Sequence, residues 1–205
     1  MLRLLARNVG MATERHGTSH GAWVIPSGIL LDGDSVVYSG GVGEDATFDA
    51  AIIGKYGCNV FAFDPTPRAI AYAGTIDEPR FHFVPVGLWS EDSLQEFRPP
   101  AIPNRVNYSI GSSRGSTGFT AMCRSVESLM HELGHSDLTL LKLDIEGAEY
   151  EVLRSMNWGR VKPRALCFEV HGGVLRSLRL IRFLRKRGYV PVAVDRWNVT
   201  MVARA

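Results

Sequence analysis

Three carboxylates, Asp144, Glu146 and Glu149, fall inside the stretch LLKLDIEGAEYEVL at 140–153, where an apolar run stops and helix-like periodicity begins. An acid at the mouth of a buried strand can take a proton, orient a ligand or bind a cation. The same residue types also open helices, where Asp caps the first turn and the dipole favours negative charge. Asp144 is read as the site acid, with helix N-cap as its structural alternative. Glu146 is either pocket-facing or a helix-start acid, and Glu149 is mainly a first-turn acid or ion-pair partner. Glu169 and His171 share one side of the strand-like ALCFEVH (165–171) by period-two spacing. His171 is the better base of the two, because an unperturbed imidazole has a pKa of ~6.5. Asp144, Glu169 and His171 include donors for a divalent cation, but their spacing is not diagnostic and no metal is assigned.

A second constellation is YSGGVGEDATFD (38–49), which sets Gly40, Gly41 and Gly43 between a strand and a helix. Glycines allow a tight turn and close backbone approach to a ligand. Asp64 ends the next strand, 21 residues after Gly43, where an acid can accept two hydrogen bonds from ribose hydroxyls. The unit marks a nucleoside-cofactor site. Gly41-x-Gly43-x-x-Ala46 also fits the dinucleotide fingerprint G-x-G-x-x-A, so an NAD(P)-dependent oxidoreductase is the alternative reading. Glu44 and Asp45, however, sit where a pyrophosphate would lie and would repel it. A cofactor without phosphates, carrying a sulfonium and an ammonium, suits them better, which favours S-adenosylmethionine (SAM).

The elements that must position these groups alternate along the chain. SVVYS (35–39), NVFAFD (59–64), RFHFVPVGLW (80–89), LTLLKLD (138–144) and ALCFEVH read as strands. DATFDAAIIGKYG (45–57), PTPRAIAYAG, SVESLMHELG (125–134), GAEYEVLRSMN and VLRSLRLIRFLRKRG read as helices. LTLLKLD has almost no polar alternation, which suits a sheet covered on both faces, with Lys142 as the exception to an otherwise buried run. YVPVAVD and WNVTMVAR look like two strands joined by a tight turn. The β-α-β-α rhythm implies a doubly wound α/β fold, with a mostly parallel sheet and an antiparallel C-terminal hairpin. Ligands of such sheets bind beyond the carboxyl ends of the strands, the ends that carry Ser39, Asp64, Val86, Asp144 and Val170. The stretch 98–120 breaks the rhythm and reads as a long functional loop. Its Asn104, Arg105, Asn107, Tyr108 and Ser109 suit polar recognition of a substrate. His131, His135, Trp158 and Trp197 read as structural or packing residues.

The 205 residues suit one domain, with 1–34 as an N-terminal extension packed on it. A formal net charge of +2 gives no reason to expect nucleic acid or a membrane surface as partner. The basic cluster RSLRLIRFLRKRG (176–188) reads as the solvated face of an amphipathic helix. Cys58, Cys123 and Cys167 have no metal-like spacing, no run reaches membrane-spanning length, and the start lacks a long apolar secretory core. A reducing, cytoplasmic compartment is expected. Oligomeric state is not legible.

With the Gly loop, FAFDPTPRAI and LLKLDIEGAEYEVL in hand, the chain resembles SAM-dependent methyltransferases of the FkbM type from about Val36 to Val202. DIEGAEYEVL is the most specific part, supported by FDPTP and GLW. The resemblance implies a Rossmann-like methyltransferase fold with a seven-stranded sheet whose last strand is antiparallel. It implies SAM as methyl donor and, most often, a hydroxyl acceptor on a sugar or other small molecule. It further implies that Gly41 and Gly43 face the cofactor, that Asp64 binds the ribose, and that Val86, Gly87 and Leu88 with Trp89 line the adenine. Many members carry an acid at the end of the first strand, in a D-x-G pattern. Here Tyr38 or Ser39 stands there, and Glu44 or Asp45 is left to meet the methionine ammonium. A SAM-binding protein without turnover is the remaining alternative.

Overall fold

The computed structural model describes residues 11–18, 21–27, 31–98, 109–110 and 118–204. In chain order the strands and helices are β1 (Thr13–His16), β2 (Trp23–Pro26), β3 (Val36–Gly40), α1 (Thr47–Tyr56), β4 (Asn59–Phe63) and α2 (Pro67–Ala73). Next come β5 (Phe81–Val84), β6 (Gly87–Leu88), β7 (Ser93–Arg98), β8 (Ser109–Ile110), β9 (Phe119–Arg124) and α3 (Val126–Glu132). The chain ends with β10 (Leu140–Leu143), α4 (Glu149–Ser155), β11 (Ala165–Glu169), α5 (Val174–Arg185), β12 (Tyr189–Asp195) and β13 (Asn198–Ala203).

Apolar runs set the main sheet. Its seven strands lie in the order β12-β13-β11-β10-β3-β4-β5. The pairs β10–β11, β10–β3, β3–β4 and β4–β5 are parallel, while β13 runs against both β11 and β12. The strand reversal at the C-terminus matches the expected hairpin. Leu140, Leu141 and Leu143 are fully buried at the centre of this sheet. Each such side chain contributes roughly 1.5–3 kcal/mol on burial. One core packs Leu141, Leu143 and Phe168 with Val152, Leu153, Leu180, Ile181 and Leu184 of α4 and α5. On the other face Val37, Val60, Leu140 and Cys167 meet Phe48, Ile52 and Ile53 of α1. No helix among the described residues is long and apolar enough to cross a membrane.

The structure corrects the sequence reading in several places. Lys142 is no exception to its buried strand: it is only 4% exposed. The run 80–89 divides, with β5 in the main sheet and β6 in a separate four-stranded sheet ordered β6-β9-β7-β8. The stretch 98–120 is therefore not one loop: Arg98 closes β7, Ser109 and Ile110 form β8, and Phe119 opens β9. The β7 and β9 side chains alternate between partly buried and exposed, so their apolar signal is diluted. The β1–β2 hairpin has no clear signal in the sequence, yet Trp23 and Ile25 are buried in the core with Val37, Phe48 and Ile52.

Candidate functional site

The site forms where the Gly loop after β3, the turn after β10 and the end of β11 converge. Gly41 has φ +77°, and a Cβ there would lie 1.7 Å from the Asp144 carbonyl oxygen. Only glycine tolerates both that backbone and that approach. Asp144 N–H donates to the Gly40 carbonyl at 3.0 Å, which ties the β10 exit to the β3 exit. The two strand ends are thus held together as one floor.

Beneath this floor lies a buried polar group. Lys142 Nζ donates to the carbonyl oxygens of Gly41 (2.7 Å) and Gly40 (3.3 Å). Asp49, in the first turn of α1 and 1% exposed, lies beside Ser39 in the field of this ammonium. Burial pushes the Asp49 carboxyl up, and Lys142 opposes that rise. Sequence reasoning missed both residues. A charged residue inside a buried strand was the available signal, since a lysine is almost never fully buried without partners.

Asp64 is 6% exposed and works on the protein itself. Oδ2 accepts from Gly43 N–H at 2.9 Å, and Oδ1 accepts from Thr66 N–H and Oγ1 at 2.9 and 2.7 Å. A carboxylate has about four acceptor positions, so room for about one further donor remains, not the two expected. Asp45 accepts from Thr47 N–H and Oγ1 and from Thr18 Oγ1. Partial burial opposes its ionisation, but these donors outweigh that and hold the carboxyl below its ordinary range. Glu44 is exposed and pairs with Arg68 at 3.5 Å.

The turn 144–148 shows why its acids differ. α4 begins at Glu149 with Ala148 at its N-cap, so Asp144 is not the cap of this helix. Glu146 adopts φ +53°, an uncommon conformation for a residue with a side chain. Glu149 is 1% exposed and accepts from Ile145 N–H and Gly147 N–H at 2.9 and 3.0 Å, closing the turn. The same carboxylate lies 3.2 Å from His171 Nδ1. Glu149 is therefore more than a first-turn acid. His171 Nε2 lies 3.3 Å from Glu169 Oε2 and 3.6 Å from Glu146 Oε2. The Glu149 hydrogen bond raises the His171 pKa to about 9, against the effect of burial. Burial, and next the Asp144 charge, raise the Glu169 carboxyl to about 8.

A cavity of about 680 Å³ opens above the strand ends, a size suited to a nucleoside-scale ligand. Gly41, Gly43, Glu44, Asp45, Asp64, Gly87, Leu88, Asp144, Glu146 and Glu169 line it. Ser39 and Gly40 lie below the wall, and a Cβ on Gly40 would meet Leu88 Cδ1 at 2.6 Å. Trp89 is not on the wall; its N–H donates to the Arg124 carbonyl and extends the pairing of β6. His171 sits behind the wall, in a small adjoining pocket with Glu149 and Glu169. Asn104, Arg105, Asn107 and Tyr108 fall outside the described residues, as does the side chain of Ser109. Trp197, read as packing, is 54% exposed and borders the cavity with Arg15, Trp23 and Asp195. Trp158 does pack, against Tyr189 and Phe183. Eight acidic residues and four basic ones line the cavity, so a cationic ligand is favoured over a polyanion.

Comparison with known proteins supports the same reading. Residues 34–191 match the model of the methyltransferase FkbM domain. The chain is 29% identical over 139 residues to the probable methyltransferase-like protein 24 of Rattus norvegicus, covering 66% of this chain and 32% of the relative. The Homo sapiens counterpart is 26% identical over 137 residues, with the same coverage. The chain thus spans about a third of the length of these curated relatives. Among solved structures, Aeropyrum pernix fibrillarin, crystallised with natively bound SAM, aligns over 98% of this chain and 87% of its own at 11% identity and a TM-score of 0.50. That likeness concerns the fold alone, the seven-stranded arrangement described above. With more than half of its length matched by the domain model, this chain belongs to the methyltransferase FkbM family.

Proposed function

We propose that the chain is a SAM-dependent methyltransferase that methylates a hydroxyl of a sugar or other small molecule, working in a reducing, cytoplasmic compartment. The observation that carries the reading is the acid-rich cleft in which the Gly loop, Asp64 and Asp144 meet at adjacent strand ends. The residues present fit the cofactor. Asp64 retains acceptor capacity for a ribose hydroxyl, Gly87 and Leu88 offer a small apolar wall, and the excess of carboxylates suits a ligand bearing a sulfonium and an ammonium. Cys58, Cys123 and Cys167 are all free and buried, in keeping with a reducing compartment.

When bound, SAM supplies an electrophilic methyl group on a positively charged sulfur. The protein's task is to hold an acceptor oxygen in line with that group and to take its proton. Asp144 faces the cavity at the mouth of the central strand and orients the acceptor. The proton leaves to Glu169 once that carboxyl, raised to about 8, has ionised at mildly alkaline pH, with His171 and Glu149 standing behind it.

Calorimetry at micromolar protein tests the reading. SAM binding, with NAD failing to bind, is expected. NAD binding without SAM binding would reverse it in favour of the oxidoreductase alternative. SAM binding with no methyl transfer to a broad carbohydrate and phenolic panel would favour a non-catalytic SAM-binding protein.

A further inference from the structure

We propose that Glu146, Glu169 and His171 form a binding site for one divalent first-row cation at the edge of the cleft. The three residues each present one donor atom, and these atoms lie within 4.8 Å of one another. They come from different parts of the chain: the turn after β10, the last residue of β11 and the segment two residues beyond it.

The spacing is of the size a coordination sphere requires. Donors about 2.1 Å from a common metal are separated by about 3.0 Å at right angles and about 3.4 Å at the tetrahedral angle. Nε2 of His171 lies 3.3 Å from Glu169 Oε2 and 3.6 Å from Glu146 Oε2. A cation drawn between the three atoms, all within 4.8 Å of one another, requires the side chains to close around it.

The imidazole is also aimed from outside the ligand set. Glu149, 1% exposed, holds Nδ1, and its other anchors are the Ile145 and Gly147 N–H groups. A carboxylate on the remote ring nitrogen fixes the tautomer that turns the Nε2 lone pair toward a metal, the usual outer-shell device of metal-binding histidines. The turn residue Glu146 reaches the cluster from a backbone at φ +53°. Two carboxylates with one imidazole suit Mn²⁺, Fe²⁺ or Zn²⁺ and leave positions for water or an acceptor oxygen. Glu146 and Glu169 line the large cavity, so those positions face the cleft. With the ion bound, Glu169 and His171 are ligands and not proton acceptors; the metal lowers the pKa of a coordinated acceptor hydroxyl, whose proton then passes to water in the cleft. That catalytic use rests on the methyltransferase reading; the binding of the ion does not.

The test titrates the chelator-treated full chain with MnCl₂, following the loss of the free-ion electron paramagnetic resonance signal. One Mn²⁺ per chain with a micromolar Kd is expected. Glu146→Gln and His171→Ala should weaken binding at least tenfold, and Glu149→Gln about tenfold, with circular dichroism confirming the fold. Glu146 sits on a partly exposed turn, so its variant keeps the test valid if the His171 variant unfolds. Failure of the folded wild-type chain to bind Mn²⁺ or Zn²⁺ below millimolar concentration overturns the site. So does binding that all three folded variants leave unchanged. SAM titrations on the same samples separate the two ideas. SAM binding without metal binding removes the ion alone, and metal binding without SAM binding removes the methyltransferase reading alone.

Discussion

Glu149 and His171 stand 22 residues apart in the chain, yet the Glu149 carboxylate lies within 3.2 Å of the imidazole Nδ1. This pair joins the turn after β10 to the end of β11, because the same carboxylate closes the turn through Ile145 and Gly147. Replacing Glu149 with Gln keeps the shape and removes the charge. In the cation-free protein the His171 titration should then fall from about 9 toward ordinary imidazole values. Proton NMR of the imidazole ring checks this, and an unmoved midpoint would rule out the pair as the cause. If His171 takes the acceptor proton, the alkaline rise of kcat should move to lower pH together with that midpoint, with the SAM Kd changed little.

Stability of the cation-free protein should decline as pH rises across the neutral range. His171 is raised from 6.5 to about 9, so its contribution is fully present below 6.5 and is lost as pH climbs through about 9. Glu169 is raised from 4.5 to about 8, so the native state holds a proton that the unfolded chain has already released. Its term also falls with pH, between 4.5 and about 8. Urea midpoints measured in chelator from pH 5 to pH 9 should therefore decrease. Glu169→Gln should flatten the lower part of that slope, and a slope identical to wild type would refute the assignment.

Gly41→Ala probes the joint between the two strand exits. The added methyl meets the Asp144 carbonyl, and the φ of +77° is strained for any side chain. A loss of at least about 2 kcal/mol is expected from strain alone, read as a lower urea midpoint. SAM affinity should drop with it, because the Gly loop and Asp144 must separate. Gly43→Ala provides the contrast: it shares the positive φ, but its Cβ would have no neighbour within 4 Å. It should cost less.

Lys142 tests the support under the loop. Lys142→Met removes the donor to one buried and one partly buried carbonyl and leaves Asp49 without its cationic neighbour. Hydrogen bonds from charged groups are worth roughly 1.5–3 kcal/mol, so a loss of that order is expected. The double variant Lys142→Met with Asp49→Asn should be less destabilised than the sum of its parts, since the coupled charges leave together. Strict additivity would show that the two residues do not interact.

These residues also mark where the sequence was legible. LLKL and VVY announced themselves as central strands because parallel strands covered on both faces are nearly all apolar. The C-terminal reversal was visible for a similar reason: two apolar runs flank a short turn at Arg196 and Trp197. Asp64 and the Gly loop were found through spacing along one β-α-β unit. Lys142 was set aside because its partners, Gly40, Gly41 and Asp49, come from another part of the chain. The Glu149–His171 pair is non-local in the same way. The accessory strands β7 and β9 give weak signals because one face of each is exposed over most of its length. The β1–β2 hairpin rests on two strands of four residues each, too short for a period-two pattern to stand out.

Asp144 carries the last prediction. It stands at the exit of the central strand, its backbone bonded to Gly40 and its side chain sharing a hydrogen bond with Glu169. It does not cap α4, so removing its charge does not remove a helix start. Asp144→Asn preserves the side-chain shape and a hydrogen-bonding capacity. If the carboxylate orients the acceptor, kcat should fall by about 10²-fold or more, while the SAM Kd changes by less than about tenfold. The Glu169 titration should also drop from about 8, because the neighbouring charge that helps to raise it is gone. A variant that folds, binds SAM and turns over at the wild-type rate would remove Asp144 from the mechanism and leave proton transfer to Glu169 and His171 alone.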